Sequence, residues 1–179
     1  MEPILHGIIL AFGLILPLGV QNVFIFSQGV MQPSFMKAMP ATITAAICDT
    51  LLILLAGLGL SIIVLQFEAI RFMLLIGGIL FLIYIGFVIW RSNAATLQNK
   101  EALPIKKQII FALSVSLLNP QAILDTVGVI GTNAVKYNDQ EQWYFLCACI
   151  FVSWLWFFSL MLTGAMLKKM HISPSIFSV

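Results

Sequence analysis

The fold of this chain is decided by the stretch LNPQAILDT at residues 118–126. It lies inside an apolar run of residues 108–131, which is long enough to cross a bilayer. Pro120 frees a backbone carbonyl one turn upstream and disfavours helical geometry at Asn119. A charge at the centre of a bilayer costs about 3 kcal/mol. An aspartate beside a helix break, Asp125, therefore predicts that this segment lines a site within the membrane.

The composition sets the class of protein around that segment. The chain has 179 residues, of which 61% are hydrophobic and 9% charged, and its mean hydropathy is +1.05. Repeated apolar runs of about 20 residues predict an all-α, polytopic membrane helix bundle with five transmembrane helices. The net charge of +2 is small, and we expect no nucleic-acid partner, no cofactor and no metal. The predicted spans are residues 4–27, 38–65, 67–90, 108–131 and 143–167.

A counterpart to the opening stretch lies in the first span, in the sequence LPLGVQN at residues 16–22. Pro17 and Gly19 weaken the helix near its middle, and Gln21 and Asn22 follow directly. We interpret this segment as a second helix break that faces the site. A plain proline kink would give the same pattern, because Gly and Pro are tolerated in membrane helices.

The second span carries a single charge, Asp49. Thr42, Ala45 and Ala46 share a helix face with it, and such small side chains allow neighbouring helices to approach closely. We interpret Asp49 as a second carboxylate of the site, with a structural hydrogen-bonding carboxyl as the alternative.

A polar linker at residues 92–107 divides the chain into two hydrophobic blocks, residues 1–91 and 108–179. Lysine and arginine concentrate on the cytoplasmic side of membrane proteins. With the N-terminus outside, seven of these residues fall inside and two outside. The seven are Lys37, Arg91, Lys100, Lys106, Lys107, Lys168 and Lys169, and the two are Arg71 and Lys136.

The two blocks resemble an inverted repeat. Each begins with a span that proline breaks, and three spans in the first block invert the second relative to it, as in many transporters. Ser173 and Pro174 have the pattern of a helix start, yet the sequence ends at Val179. We therefore expect the second block to be incomplete and to lack a sixth span.

Three motifs in this order resemble the LysE family of L-amino-acid exporters: LGVQN at residues 18–22, CDT at 48–50 and LNPQAILDT at 118–126. Within that family the chain is similar to the branch that exports lysine and arginine. The resemblance implies a multi-pass secondary transporter of the bacterial cytoplasmic membrane, with six helices in a 3+3 inverted repeat. It also implies a basic L-amino acid as substrate and a proton or sodium as coupling ion. Whether the chain forms a homo-oligomer stays open.

This resemblance, with the chemistry of a basic amino acid, indicates a binding site. Backbone N–H groups freed at the helix breaks are available to the substrate carboxylate. The two aspartates are available to its two cationic groups or to a proton. The predicted substrate-binding residues are Gln21, Asn22, Asp49, Asn119, Asp125 and Thr126, and the predicted helix breaks are at Pro17, Gly19 and Pro120.

Three other functions compete with amino-acid export. A divalent metal-ion transporter would coordinate its cation with the two aspartates and the asparagines. A membrane thiol–disulfide carrier would use Cys48, Cys147 and Cys149, but their apolar surroundings blunt thiol reactivity. An intramembrane aspartyl protease would require a Gly-x-Gly-Asp pattern, which precedes neither Asp49 nor Asp125.

Overall fold

A computed structural model of the chain describes residues 1–17, 19–60 and 102–171, with residues 69, 72–73, 76–77, 79–80, 83 and 87 between them. The described residues form helices and contain no strands. The six principal helices are α1 (Glu2–Ile15), α2 (Val20–Met31), α3 (Phe35–Leu55), α4 (Ile105–Leu117), α5 (Pro120–Asp125) and α6 (Asp139–His171). Wide helical turns follow α3 and α5, at Ala56–Leu60 and Thr126–Gly131, and Thr132–Ala134 forms a short further turn.

Two continuous segments are long and apolar enough to cross a membrane, Phe35–Gly59 and Asp139–Lys169. Two further candidate spans are bent helix pairs: α1 meets α2 at 81°, and α4 meets the helical segment Ala122–Ala134 at 54°. The predicted all-α, polytopic architecture is thereby confirmed. Most of the third predicted span, residues 67–90, lies outside the described residues, as do linker residues 92–101 and Ser173–Pro174, so the count of five spans stays a prediction.

The helix ends differ from those predicted, for identifiable reasons. The second span was expected to continue to residue 65, and residues 61–65 lie outside the described residues. Within the described part, α3 ends at Leu55, and Gly59 in the following turn has a φ of 97°. Glycine favours this left-handed backbone, which ends regular helix. The linker was expected to extend to Lys107, but α4 begins at Ile105, directly after Pro104. The fifth span was expected to begin at residue 143, but α6 begins at Asp139. The helix dipole favours an acidic residue such as Asp139 in the first turn.

Helix α6 is the common packing partner of α1, α2 and α3. Glycines permit its closest contacts: a Cβ on Gly29 of α2 would overlap the Met161 carbonyl, and a Cβ on Gly164 would overlap the Phe26 carbonyl. Near the other end of α6, a Cβ on Gly7 of α1 would lie 2.7 Å from the Phe145 carbonyl oxygen. Both halves of the first broken span therefore dock on one helix, backbone against backbone.

Two clusters of buried apolar side chains flank the middle of the bundle. The cluster that contains the α2 side chains includes Phe24, Ile25, Ala41, Ala45, Phe157 and Met161. The cluster that contains the α1 side chains includes Ala11, Ile53, Ile130, Phe145, Leu146 and Val152. The level between the two clusters is where the helix breaks lie.

Substitution of Gly29 by alanine tests the α2–α6 contact. The added Cβ meets main-chain atoms, which cannot rotate away, and overpacking of this kind costs about 1–3 kcal/mol. We expect Gly29→Ala to lower the thermal unfolding midpoint in detergent.

The matched control is Gly13→Ala in α1, because a Cβ there would meet no atom within 4 Å. Alanine has the higher helix propensity by about 1 kcal/mol, so this variant should be neutral or slightly stabilised. Equal midpoints for both variants would contradict the close contact.

Candidate functional site

The side chain of Asn22 bridges the break in the first span. The Nδ2 atom of Asn22 donates hydrogen bonds to the carbonyls of Ile15 at 2.9 Å and Pro17 at 3.1 Å. Asn22 is only 6% exposed, and these carbonyls lie at the end of α1, where helical partners are missing. The asparagine amide thus replaces backbone hydrogen bonds that the bend removes.

The second break falls at the predicted position in the fourth span. Helix α4 ends at Leu117, and α5 starts at Pro120. The Leu118 N–H still bonds back to the Ser114 carbonyl at 2.9 Å, and the Asn119 carbonyl accepts the first bond of α5, from Ile123 at 3.1 Å. Proline suits the first helical position, where its missing N–H costs nothing.

A cavity of about 190 Å³ lies between the two breaks, and residues of α3 and α6 also line it. Its volume is below the roughly 300–1,000 Å³ of pockets for drug-sized ligands, so it suits a smaller solute. The structure brings all six predicted binding residues to this one cavity, together with Pro17 and Gly19 of the first break. The remaining lining residues are Ala11, Leu14, Ile15, Ile53, Ala122, Ile130, Cys149, Ser153 and Phe157.

Two acidic side chains line the cavity. Asp49 enters from α3, and Asp125 enters from the end of α5, with the buried Thr126 beside it. Among the described residues that line the cavity, none is lysine, arginine or histidine. Such a site favours a cationic solute, because charges interact strongly where water is scarce.

Ser153 is a site residue that the sequence analysis missed. Its Oγ donates a hydrogen bond to the Asp49 Oδ2 atom, and the residue is 1% exposed. On the next position of α6, the Trp154 Nε1 donates to the Thr50 Oγ1 at 2.9 Å. These two bonds fix the register of α6 against α3 at the level of the carboxylate. A lone hydroxyl in the apolar run of residues 145–158 was the available signal.

The three cysteines form no disulfide. Cys48 and Cys149 are buried, Cys147 is exposed, and all three are free thiols. Cys149 lines the cavity, and its Sγ lies 3.5 Å from the Gly7 carbonyl oxygen. Within the described part of the chain, no group of three His, Cys, Asp or Glu residues has the spacing of a metal site.

The sequence is similar to that of a known protein family. Residues 12–177 match the model of a family described as LysE type translocator. The chain belongs to this family. The match covers both helix breaks and both aspartates, and it confirms the family predicted from the motifs. No solved structure matches the chain.

Curated relatives support the same assignment. A Bacillus subtilis protein named "Putative amino-acid transporter YisU" is 53% identical over 97% of this chain and 79% of its own length. Proteins named "Arginine exporter protein ArgO" from an Enterobacter species and from Escherichia coli are 32% and 30% identical, each over 90% of this chain and 78% of its own length. The chain is therefore a multi-pass membrane transporter of the LysE type, an amino-acid exporter and not an enzyme.

Removal of the Ser153 hydroxyl tests how far Asp49 depends on it. We expect Ser153→Ala to lower amino-acid export by up to about tenfold, because a buried hydrogen bond contributes about 0.5–1.5 kcal/mol. Ser153→Thr keeps a hydroxyl and should retain much more of the activity. Export rates at several internal substrate concentrations would measure the change.

Ser159→Ala is the control on the same helix. Ser159 is exposed, and its Oγ bonds only to the Leu155 carbonyl one turn earlier in α6. Normal export by both alanine variants would show that Asp49 is positioned without Ser153.

Proposed function

We propose that this chain exports the basic L-amino acids arginine and lysine across the bacterial cytoplasmic membrane. The observation that carries the proposal is the cavity, which Asp49 and Asp125 both line and which no basic side chain lines among the described residues. Arginine and lysine each carry an α-ammonium and a side-chain cation, so two carboxylates match the substrate's two positive charges. The names of the ArgO relatives agree with arginine.

The substrate carboxylate is assigned to the N-terminus of α2. Gly19 and Gln21 line the cavity there, and no side chain caps this 12-residue helix. The uncapped N–H groups and the helix dipole favour an anion. Asn22 was predicted to bind the substrate, and its amide nitrogen donates to two backbone carbonyls.

Export against a gradient requires an energy source, and the resemblance implies a proton or sodium gradient. A carboxyl in a membrane cavity can bind a sodium ion or take up a proton. Asp49 and Asp125 are the two candidates for this exchange. Family membership favours amino-acid export over the metal-ion transporter and the thiol–disulfide carrier, since the relatives are named as amino-acid transporters and arginine exporters.

Neutralisation of the carboxylates tests the proposal directly. We expect Asp125→Asn to abolish export of arginine and lysine while the protein still inserts, because the amide keeps the shape and loses the charge. Asp49→Asn should behave in the same way. Cells loaded with arginyl or lysyl dipeptides, which release the free amino acid inside, would report the export rate.

Asp139→Asn is the matched control. Asp139 is exposed in the first turn of α6 and does not line the cavity, so its variant should export normally. Normal export by Asp125→Asn, at equal protein levels, would make Asp125 structural and overturn the proposed site.

The orientation in the membrane has its own test. In a variant without native cysteines, a cysteine at Asn99 in the linker should be shielded from an impermeant thiol reagent added to intact cells. A cysteine at Asn138, in the turn before α6, should react. The opposite labelling pattern would reverse the orientation that the lysine and arginine bias predicts. The cysteine-free background should itself export, unlike a thiol carrier.

A further inference from the structure

A second concave surface lies at the far end of α6 and shares no residue with the central cavity. It is an open groove of about 830 Å³ between the turn that joins α2 to α3 and the last turns of α6. We call it the terminal groove. Its principal side chains are Ser34, Phe35, Leu162, Met166, Lys168 and Lys169.

The α6 side chains of the terminal groove change from apolar to cationic toward the end of the helix. Leu162, Met166 and Lys169 follow one another at steps of four and three residues, so they form a stripe on one helix face. Leu162 is 46% and Met166 62% exposed. The stripe is therefore apolar on the side toward the membrane centre and cationic at the helix end, where lysines mark the membrane interface.

A phospholipid has the same order of chemistry, with an acyl chain inside the bilayer and a phosphate at its surface. We propose that the terminal groove binds one anionic phospholipid of the surrounding bilayer. Its acyl chain lies along Leu162, Met166 and Phe35, and its phosphate lies between Lys168 and Lys169. No acidic side chain lines the groove among the described residues, so the charges are complementary, as in other basic lipid pockets between membrane helices.

The bound headgroup would also stabilise the contacts around it. The Lys168 Nζ donates to the Gln32 carbonyl at 2.7 Å, which leaves two of its three N–H donors for a phosphate. The Gln32 side chain is 3% exposed and donates to the Leu103 carbonyl at 2.9 Å. The Gln108 side chain donates to the same carbonyl at 2.8 Å. A lipid on Lys168 therefore supports the network that joins α6, the α2–α3 turn and the segment before α4.

The test is a thermal unfolding measurement on the full chain in neutral detergent, with phosphatidylglycerol or phosphatidylcholine of identical acyl chains added. We expect phosphatidylglycerol to raise the unfolding midpoint by several degrees and phosphatidylcholine to raise it much less. The double variant Lys168→Gln/Lys169→Gln should lose most of the difference between the two lipids. The double variant Lys106→Gln/Lys107→Gln removes the same charge from the exposed first turn of α4, and it should keep that difference.

Three results would overturn the proposal. An equal loss in both double variants would mean a diffuse surface charge effect, and an equal rise with inorganic phosphate would mean a free-anion site. The third result does not depend on the variants, which guards against their failure to fold. In native mass spectrometry of the unmodified chain with both lipids in equal amounts, we expect retained phosphatidylglycerol to predominate. Equal retention of the two lipids would exclude a site for anionic lipid.

Discussion

A bilayer offers no water to backbone N–H and C=O groups, so every interruption of a membrane helix must be repaired inside the protein. This chain interrupts two spans, and each unrepaired group would cost several kcal/mol. At the first break, the Asn22 amide bonds the carbonyls of Ile15 and Pro17. At the second, Pro120 begins a new helix and has no N–H to satisfy. Residues from both breaks, among them Pro17 and Asn119, line the central cavity.

The same constraint explains the acidic character of the cavity. A carboxylate that leaves water must gain a proton, a cation or hydrogen-bond donors. For Asp49, the structure supplies one donor, the Ser153 hydroxyl. In the proposed function, a bound basic amino acid would supply cations, and a proton or sodium ion would do so once it has left. The buried carboxylates, which cost free energy when the cavity is empty, would thus favour alternate binding of substrate and coupling ion.

Because polar residues are rare within the apolar runs, the sequence alone predicted several residues that line the cavity. In a chain with 9% charged residues, a polar residue beside a helix break or a lone charge within an apolar run has few explanations. The six residues predicted from such positions and from the family resemblance all line the cavity. Ser153 escaped because its bond to Asp49 joins positions 104 residues apart, and no local pattern encodes that contact. The role of Asn22 depends on the 81° bend between α1 and α2, which residue types alone do not specify.

The first break also lies between two helix–helix contacts, one of α1 with α6 and one of α2 with α6. Helix α1 docks on α6 through Gly7 and the Phe145 carbonyl, whereas α2 docks through Gly29 and Gly164, nearer the other end of α6. A continuous helix would transmit any movement of one contact to the other through its hydrogen-bonded ladder. Here the side chain of Asn22 replaces the ladder. Hydrogen bonds of this kind contribute a net free energy of about 0.5–1.5 kcal/mol, which is small enough for thermal motion to break and re-form them. An exporter must open its cavity to one side while the other stays closed, and the break divides the first span at the level of the central cavity.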